Sequence, residues 1–188
     1  MNLPNKLTII RMLITPIFLA VVLWDKLPYR FFIAAVIFII GSVTDFLDGR
    51  IARKHNLITN FGKLADPLAD KMLTTAALLV FMQHGLCSIW VIMIVLAREF
   101  TVTSVRLVAS SQGVVIPANQ WGKIKTISQM VFSIAIMILA GFNEMGSLPA
   151  SFDFPLLSNI LLWITAVLTI ISGGTYLWAS RSQIDYSK

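Results

Sequence analysis

The sequence predicts an all-α integral membrane protein with six transmembrane helices and a short N-terminal interfacial segment. Its 188 residues are 57% hydrophobic and only 13% charged, and the mean hydropathy is +0.81. A soluble domain is about half apolar and about a quarter charged, so both fractions are typical of a membrane protein. At about 20 residues for each span, the length allows six helices, which we expect to form a single domain over residues 1–188.

The apolar runs and the turns between them place the helices in order. Residues 1–8 form the interfacial segment, in which Pro4 suits a helix start. A cleaved signal peptide needs a small-residue cleavage site after its apolar core. Trp24, Asp25 and Lys26 follow the first apolar run instead, so we expect that run to be a retained span. The six predicted helices cover residues 9–24, 31–54, 63–82, 87–110, 123–140 and 156–179.

Two details of these turns carry further expectations. The second helix continues through DFLDGRIAR because that segment contains no proline, and we expect it to break at residues 55–62. Pro67 then falls in the first turn of the third helix, where its missing N–H costs nothing.

His55 and His84 lie in different turns and do not form a metal cluster with each other. The single cysteine, Cys87, has no internal disulfide partner and is expected to be a small core or lipid-facing residue.

The charge distribution orients the predicted helices. A net charge of +6 might indicate a nucleic-acid partner in a soluble protein, but basic residues here flank spans and face anionic lipid. With the N-terminus inside, six spans return the C-terminus to the inside, which leaves only Lys26 and Arg30 outside. The basic residues then placed inside are Lys6, Arg11, Arg50, Arg53, Lys54, Lys63, Lys71, Lys123, Lys125, Arg181 and Lys188. This bias predicts an integral membrane protein with both termini cytoplasmic and no nucleic-acid partner.

Residues 45–70 hold four aspartates in a sequence that is otherwise mostly apolar. On helices, Asp45 and Asp48 are three residues apart and Asp66 and Asp70 are four apart, so each pair shares a face. Two such pairs joined by a short turn can converge. Four converging carboxylates need a counter-charge, and the simplest is a divalent cation with oxygen ligands. The alternative is that these aspartates pair with nearby basic residues, namely Arg50, Arg53 and Lys71.

Written as a pattern, this stretch is D-x2-D-G-x2-A-R-x8-G-x3-D-x3-D. The fixed positions are Asp45, Asp48, Gly49, Ala52, Arg53, Gly62, Asp66 and Asp70. The pattern resembles the signature of the CDP-alcohol phosphotransferases, and no position departs from it. The resemblance implies transfer of a substituted phosphate from a CDP-linked donor to an alcohol, with release of CMP. It also implies that the four aspartates hold one or two metal ions, with two expected, as Mg²⁺ or Mn²⁺. Asp70 would in addition act as general base on the attacking hydroxyl.

The small and basic residues of the motif suit a CDP-linked donor. Gly49 and Ala52 remove side-chain bulk beside the carboxylates, which allows a planar nucleobase to approach closely. Arg53 supplies a positive fork for a phosphate, and Gly62 permits the tight backbone that brings the third helix back against the second.

The opening PNKLTIIR also resembles this family, in which Asn5 and Thr8 would lie near the nucleotide. Thr59, in the turn between the second and third helices, is a candidate contact for the donor phosphate. Asparagine and threonine are also common helix-start and loop residues, so the alternative is that these three residues have only a structural role. The expected CDP-diacylglycerol site comprises Asn5, Thr8, Asp45, Asp48, Gly49, Ala52, Arg53, Thr59, Gly62 and Asp66.

A second polar cluster lies in the fourth predicted helix. Arg98 stands in the middle of an apolar span, Glu99 follows it, and Arg106 is eight residues further on. Eight residues at 100° each place the two arginines within about a quarter turn of each other. An arginine at this depth normally faces the bundle interior and marks a site. The alternative is that these arginines form an intramembrane ion pair with Glu99 or with a carboxylate of the aspartate motif.

The segments AREF, VRLVAS and IPANQWGKIKT are similar to those of bacterial phosphatidylglycerophosphate synthases, which use glycerol 3-phosphate as the acceptor. A dianionic acceptor requires cations, and the available set is Arg98, Arg106, Lys123 and Lys125. For the two lysines, ordinary positive-inside charge is the alternative.

The resemblance as a whole implies a specific reaction in phospholipid biosynthesis. The phosphatidyl group of CDP-diacylglycerol passes to glycerol 3-phosphate, which gives phosphatidylglycerol phosphate and CMP at the cytoplasmic face of the membrane. It also implies a homodimer in contact with membrane lipid. Another acceptor, namely serine, inositol phosphate or phosphatidylglycerol, is the nearest alternative. A divalent-cation carrier or channel, with the aspartates as its transport site, is an alternative of a different class.

Overall fold

A computed structural model of the chain describes residues 3–55, 60–114, 120–149 and 151–181, with side chains at 8–44, 68–69, 71–114, 120–149 and 151–181. Six helices and no strand lie in these ranges, so the predicted all-α class is confirmed. The helices are α1 (Leu3–Val22), α2 (Arg30–His55), α3 (Asn60–Gln83), α4 (Ile89–Ser111), α5 (Gln120–Glu144) and α6 (Phe154–Ser180). Among the described residues, α5 and α6 are long and apolar enough to cross a membrane. The other apolar segments found there are shorter.

The first three helices form one half of the bundle, in which α1 packs against both α2 and α3. Their buried residues recur at alternating steps of three and four, which makes one stripe along each helix. In α1 the stripe is Thr8, Arg11, Thr15, Phe18 and Val22. In α2 it is Phe31, Ala34, Phe38 and Gly41, and in α3 it is Leu73, Ala77 and Val80. These stripes form much of the hydrophobic core.

The other half of the bundle is built around α6, which packs against α4 and α5. Much of its buried face is polar but small, with Ser158, Thr165, Thr169 and Ser172 all fully buried. Three of these hydroxyls donate to the carbonyl four residues earlier in the same helix, as in the 2.7 Å bond from Thr169 Oγ1 to Thr165 O. Small residues that satisfy their own polar groups allow neighbouring helices to approach closely.

Two glycines allow helices to touch at backbone distance. A Cβ on Gly41 of α2 would stand 2.6 Å from Leu73 Cδ2 of α3. A Cβ on Gly141 of α5 would stand 2.5 Å from Cε2 of the Phe32 ring in α2. Both distances are shorter than those that real Cβ atoms show, so a side chain at either glycine would force the neighbouring Leu73 or Phe32 side chain to move.

The turns after α1, α3 and α5 meet at one end of the bundle. Arg30 at the start of α2 pairs with Asp25 and, at 2.8 Å, with Oε1 of Glu144 at the end of α5. The His84 ring lies 5.3 Å from the Phe31 ring in a tilted edge contact. Asp45 and Asp48 of the aspartate motif come 15 and 18 residues after Arg30 in α2, so they lie about 22–27 Å further along the helix at 1.5 Å per residue.

Several predicted helix bounds were wrong because residues expected to begin or end a helix lie inside one. Helix α3 begins at Asn60 rather than near Lys63, so Pro67 is not in its first turn but further inside the helix. Helix α5 continues to Glu144 instead of ending at Ala140, because Gly141 packs against Phe32 within the helix and does not end it. His55 is the last residue of α2 and not part of the turn.

The other bounds shift by only a few residues. Helix α1 ends at Val22 rather than Trp24, and α6 extends from Phe154 to Ser180. Helix α5 begins three residues early, at Gln120. Helix α4 begins at Ile89 because the Ser88 side chain accepts a hydrogen bond from the Trp90 amide and so caps the helix.

Candidate active site

The aspartate motif lies on two consecutive helices. Asp45 and Asp48 fall in α2 and Asp66 and Asp70 fall in α3, while the intervening turn at 56–59 lies outside the described residues. The positions of the aspartates continue the buried stripes of their helices. In α2, the steps of three and four that join Phe38 and Gly41 lead next to positions 45 and 48. In α3, the same steps lead from positions 66 and 70 to Leu73 and Ala77, both buried.

The side chains of the four aspartates lie outside the described part of the chain, as do those of Ala52 and Arg53 and the surroundings of Gly49 and Gly62. The same holds for the side chain of Asn5, which falls in α1, and for the whole of Thr59. Among the side chains that the structure describes, no group of three or more His, Cys, Asp or Glu residues could hold a metal ion. The predicted metal ligands and donor contacts therefore stay predictions.

Polar residues also occupy the described part of α1 at this end of the bundle. Thr8 and Arg11 are buried, and the exposed fraction of Arg11 is only 3%. Helix α1 packs against both helices of the aspartate motif. Its buried stripe is apolar at Phe18 and Val22 and becomes polar at Thr8 and Arg11, toward the end that carries the motif. The sequence had marked Arg11 as an inside charge and as one of the residues that carry the resemblance of PNKLTIIR, but had given it no role in the site.

Beyond the motif, three cations from three helices meet at one carboxylate. Oε1 of Glu99 in α4 accepts a hydrogen bond of 2.7 Å from Lys125 Nζ of α5 and one of 3.0 Å from Arg98 Nη1. Oε2 of Glu99 lies 3.5 Å from Lys71 Nζ of α3. The Lys125 side chain is only 4% exposed and that of Glu99 is 19% exposed. We call Lys71, Arg98, Glu99 and Lys125 the Glu99 cluster.

Lys71 fastens α3 to α4 more firmly than one ion pair would. Its ammonium group also donates to the backbone carbonyl of Glu99 at 3.0 Å and to the hydroxyl of Thr103. Because Lys71 directly follows Asp70 in the same helix, these contacts fix the rotation of α3 at the last aspartate of the motif. The Glu99 cluster therefore adjoins the aspartate helices.

The guanidinium of Arg98 is held between α5 and α6. Its Nη2 donates a hydrogen bond of 2.7 Å to Ser172 Oγ. A Cβ on Gly122 would stand 3.5 Å from Nη2, and a Cβ on Gly173 would stand 2.9 Å from Cγ. Small residues on both neighbouring helices thus leave room for the arginine inside the bundle.

The four cations predicted for the acceptor divide into two groups. Arg98 and Lys125 come together at Glu99, so the ion pair that the sequence left as an alternative does form. Arg106 and Lys123 are exposed and lie outside that cluster. The Arg106 guanidinium carbon lies 5.9 Å from the centre of the Tyr176 ring, a cation–π distance.

Four residues of this region were not predicted as site residues: Lys71, Ser172, Gly173 and Glu99, the last of which was named only as a possible ion-pair partner. Lys71 was one of many inside charges, and its position directly after Asp70 is the sequence signal that distinguishes it. Ser172 and Gly173 are small residues in an apolar helix and give no chemical signal from one sequence.

Comparison with known proteins identifies the class to which this fold and these residues belong. The family model described as CDP-alcohol phosphatidyltransferase matches residues 1–171. The chain therefore belongs to that family, as the motif predicted.

Individual relatives span almost the whole chain. A Bacillus subtilis protein named CDP-diacylglycerol–glycerol-3-phosphate 3-phosphatidyltransferase is 40% identical over 186 residues, which cover 93% of each chain. A Rickettsia felis protein of the same name is 39% identical over 181 residues, or 96% of each chain. A Mycobacterium tuberculosis protein named probable phosphatidylglycerophosphate synthase is 33% identical over 94% of this chain and 80% of its own.

Proposed function

We propose that this protein transfers the phosphatidyl group of CDP-diacylglycerol to glycerol 3-phosphate, with phosphatidylglycerol phosphate and CMP as products. The observation that carries the proposal is the Glu99 cluster, which holds a surplus of positive charge directly beside the aspartate helix α3. The predicted motif accounts for the donor, and the cluster accounts for a phosphate on the acceptor. The names of the relatives agree with both substrates.

On the donor side, the positions of the four aspartates continue the register of the buried stripes of α2 and α3, and this register supports an interior site. Carboxylates three and four residues apart on two adjacent helices suit Mg²⁺ or Mn²⁺, which prefer oxygen ligands. Asp45, Asp48, Asp66 and Asp70 would hold two such ions. When bound, the ions would neutralise the diphosphate of the donor and the charge that develops on CMP.

The remaining motif residues bind and orient the donor. Gly49 and Ala52 leave room for the cytosine ring, and Arg53 pairs with a phosphate. Asn5 and Thr8 lie near the nucleotide, and the buried position of Thr8 in α1 is consistent with an interior contact. Thr59 contacts a phosphate of the donor. Gly62 permits the tight backbone that brings α3 back against α2.

On the acceptor side, the positive residues hold the phosphate of glycerol 3-phosphate. The three cations and one carboxylate of the Glu99 cluster carry a net charge of +2, which is equal and opposite to the charge of a phosphate dianion. The exposed Arg106 and Lys123 supply further positive charge from α4 and α5. With its phosphate held there, the acceptor can present its 1-hydroxyl to the helix that carries Asp70.

The chemical step follows from this placement. Asp70 takes the proton of the 1-hydroxyl, and the oxygen attacks the phosphorus that bears diacylglycerol. The bond from that phosphorus to the CMP oxygen breaks, so CMP leaves as the phosphatidyl group is transferred. A general base must lie within hydrogen-bond reach of the proton it removes, and the contacts of Lys71 fix the rotation of α3 at this position.

We further propose that all six helices of this single domain span the bacterial inner membrane, with the site and both termini at the cytoplasmic face. Large apolar side chains are exposed on every helix, including Ile17, Val36, Leu79, Phe100, Ile127 and Trp178. Soluble monomers rarely expose so much apolar surface. A homodimer within the membrane, as the resemblance implies, would cover part of it, and lipid would cover the rest.

The decisive experiment is an acceptor panel with a metal titration. Purified protein receives CDP-diacylglycerol with glycerol 3-phosphate, serine, inositol phosphate or phosphatidylglycerol, and CMP release is followed. We expect release with glycerol 3-phosphate only, and only when Mg²⁺ or Mn²⁺ is present. Turnover of serine without turnover of glycerol 3-phosphate would refute the proposed acceptor. Metal flux into proteoliposomes in the absence of any CDP-lipid would support a cation carrier instead.

A further inference from the structure

We propose that Glu99 is a positioning residue for the phosphate of the acceptor. It gathers Lys71, Arg98 and Lys125 from three helices into one anion-binding cluster, although it carries the same sign of charge as the ligand. The inference rests on the proposed function and concerns its acceptor half, because it assigns Glu99 and Lys71 to the phosphate site.

The geometry shows why the cations need this carboxylate. All three contact Glu99 oxygen atoms within 3.5 Å, so the cations themselves lie close together. Three like charges at such separations repel one another strongly in a partly buried site. Lysine side chains are flexible, so without the carboxylate the Lys125 ammonium would move away, and Lys71 would keep only its contacts with the Glu99 carbonyl and the Thr103 hydroxyl. Glu99 thus fixes the geometry that a phosphate meets.

The charge balance distinguishes this cluster from an ion pair that only holds helices together. At the opposite end of the bundle, the single cation Arg30 meets two carboxylates, Asp25 and Glu144. The Glu99 cluster has the reverse ratio, with three cations for one carboxylate. Its Arg98 Nε is buried and has no hydrogen-bond partner among the described residues. The cluster therefore keeps both the charge and a hydrogen-bond donor for an incoming anion.

The first test measures the kinetics of Glu99→Gln in the purified full-length protein. The KM for glycerol 3-phosphate should rise about tenfold or more, whereas the KM for CDP-diacylglycerol should change by less than about twofold. Glu99→Asp keeps the charge on a shorter stem and should give an intermediate value. Glu144→Gln removes the carboxylate of an ion pair with a 2.8 Å contact and should leave both KM values unchanged. An acceptor KM that is unchanged or lowered in Glu99→Gln would overturn the proposal.

The second test asks whether Glu99 acts through Lys125. If it acts in part through Lys125, Glu99→Gln should raise the acceptor KM by a smaller factor in a Lys125→Met background than in the wild-type protein. Multiplicative effects of the two substitutions would show that Glu99 acts elsewhere and would overturn the positioning role.

The third test is independent of turnover and uses inorganic phosphate as the probe. Phosphate should raise the unfolding temperature of the wild-type protein and of Glu144→Gln, and it should raise that of Glu99→Gln far less. If wild-type protein shows no CMP release with glycerol 3-phosphate, the proposed function fails, yet this measurement still decides whether Glu99 organises an anion site. Equal stabilisation of wild type and Glu99→Gln would overturn the inference. Should Glu99→Gln not fold, Glu99→Asp carries the same comparison with a smaller expected difference.

Discussion

Gly173 of α6 lies directly against the stem of Arg98 in α4. A Cβ built on Gly173 would stand 2.9 Å from Arg98 Cγ and 3.8 Å from Arg98 Cβ. The nearer contact involves an atom close to the backbone, so the arginine cannot avoid it by moving only its guanidinium. The preceding residue, Ser172, accepts the 2.7 Å hydrogen bond from Arg98 Nη2. Two consecutive residues of α6 therefore determine where this arginine lies.

The first prediction concerns the glycine pair in α6. Gly173→Ala should displace Arg98 from Ser172 and Glu99 and raise the KM for glycerol 3-phosphate, with an overpacking cost of about 1–3 kcal/mol. Gly174→Ala is the matched control, since a Cβ there meets nothing within 4 Å. Alanine is also the better helix former by about 1 kcal/mol. The measurement is acceptor KM alongside thermal unfolding. Identical behaviour of the two variants would show that Arg98 tolerates the added methyl group.

The second prediction separates packing from substrate binding. Gly141→Ala should lower the unfolding free energy by about 1–2 kcal/mol, because the new methyl group overlaps the Phe32 ring. Three atoms of that ring lie within 2.8 Å of the added Cβ, and the ring also packs edge-on against Phe142 at 5.2 Å. Thermal unfolding should show the loss, while the acceptor KM should not change. A raised acceptor KM without loss of stability would contradict this assignment.

The third prediction compares the two arginines of α4. Arg98→Ala and Arg106→Ala should each raise the KM for glycerol 3-phosphate more than the KM for CDP-diacylglycerol. Arg98→Ala should also reduce stability, because it removes the hydrogen-bond donor to the buried Ser172 hydroxyl and one of the three cations at Glu99. The exposed Arg106 should affect stability little. Steady-state kinetics with each substrate varied in turn provides the check. Equal changes in both KM values would place the arginines in the scaffold.

The fourth prediction concerns the proposed general base. Asp70→Asn should abolish CMP release, because an amide cannot accept the proton of the attacking hydroxyl. Binding of CDP-diacylglycerol should largely survive, which equilibrium binding to the purified variant would measure. Lys71→Met is an informative companion, since it should raise the acceptor KM and leave a measurable kcat. Unchanged turnover in Asp70→Asn would remove Asp70 from this role.

The fifth prediction concerns the single thiol. Burial raises the pKa of Cys87, in the turn between α3 and α4, to about 12. The reactive thiolate therefore forms only as the pH rises toward that value, and at pH 8 its fraction is about 10⁻⁴. Maleimide should not label native protein at pH 8 but should label it after denaturation. Introducing Ser147→Cys at an exposed position of the α5–α6 turn provides a positive control. Rapid labelling of native Cys87 would contradict its burial.

The fold could be predicted from sequence because the long apolar runs and the turns between them are local signals. The errors arose where a local signal has a second meaning. Gly141 was taken as the end of a helix, but it is the contact point for Phe32. Pro67 was taken as a helix start, but it lies further inside α3. Neighbouring helices decide between these meanings, and one sequence does not contain that information.

The residues of the candidate site also divide into those that the sequence could predict and those that depend on helix packing. Arg98 was found because charge inside apolar sequence is costly and therefore conspicuous, and Lys125 was found through the resemblance of the segment IPANQWGKIKT. The convergence of Lys71, Arg98 and Lys125 on Glu99 could not be found, because it depends on which helices are adjacent and how each is rotated. Ser172 and Gly173 act by being small, and small residues are common in membrane helices.

The composition of the Glu99 cluster also has a consequence for how the chain is made. In the proposed membrane-inserted fold, the ribosome delivers Lys71 first, then Arg98 and Glu99 together, and Lys125 last. Glu99 thus enters the bilayer with a neutralising neighbour in its own helix, and α3 and α4 can pair before α5 exists. A nascent chain that stops short of Gln120 would lack the 2.7 Å contact from Lys125. In such a chain Glu99 would have only Lys71 and Arg98 as partners, so the tie between α4 and α5 would form last.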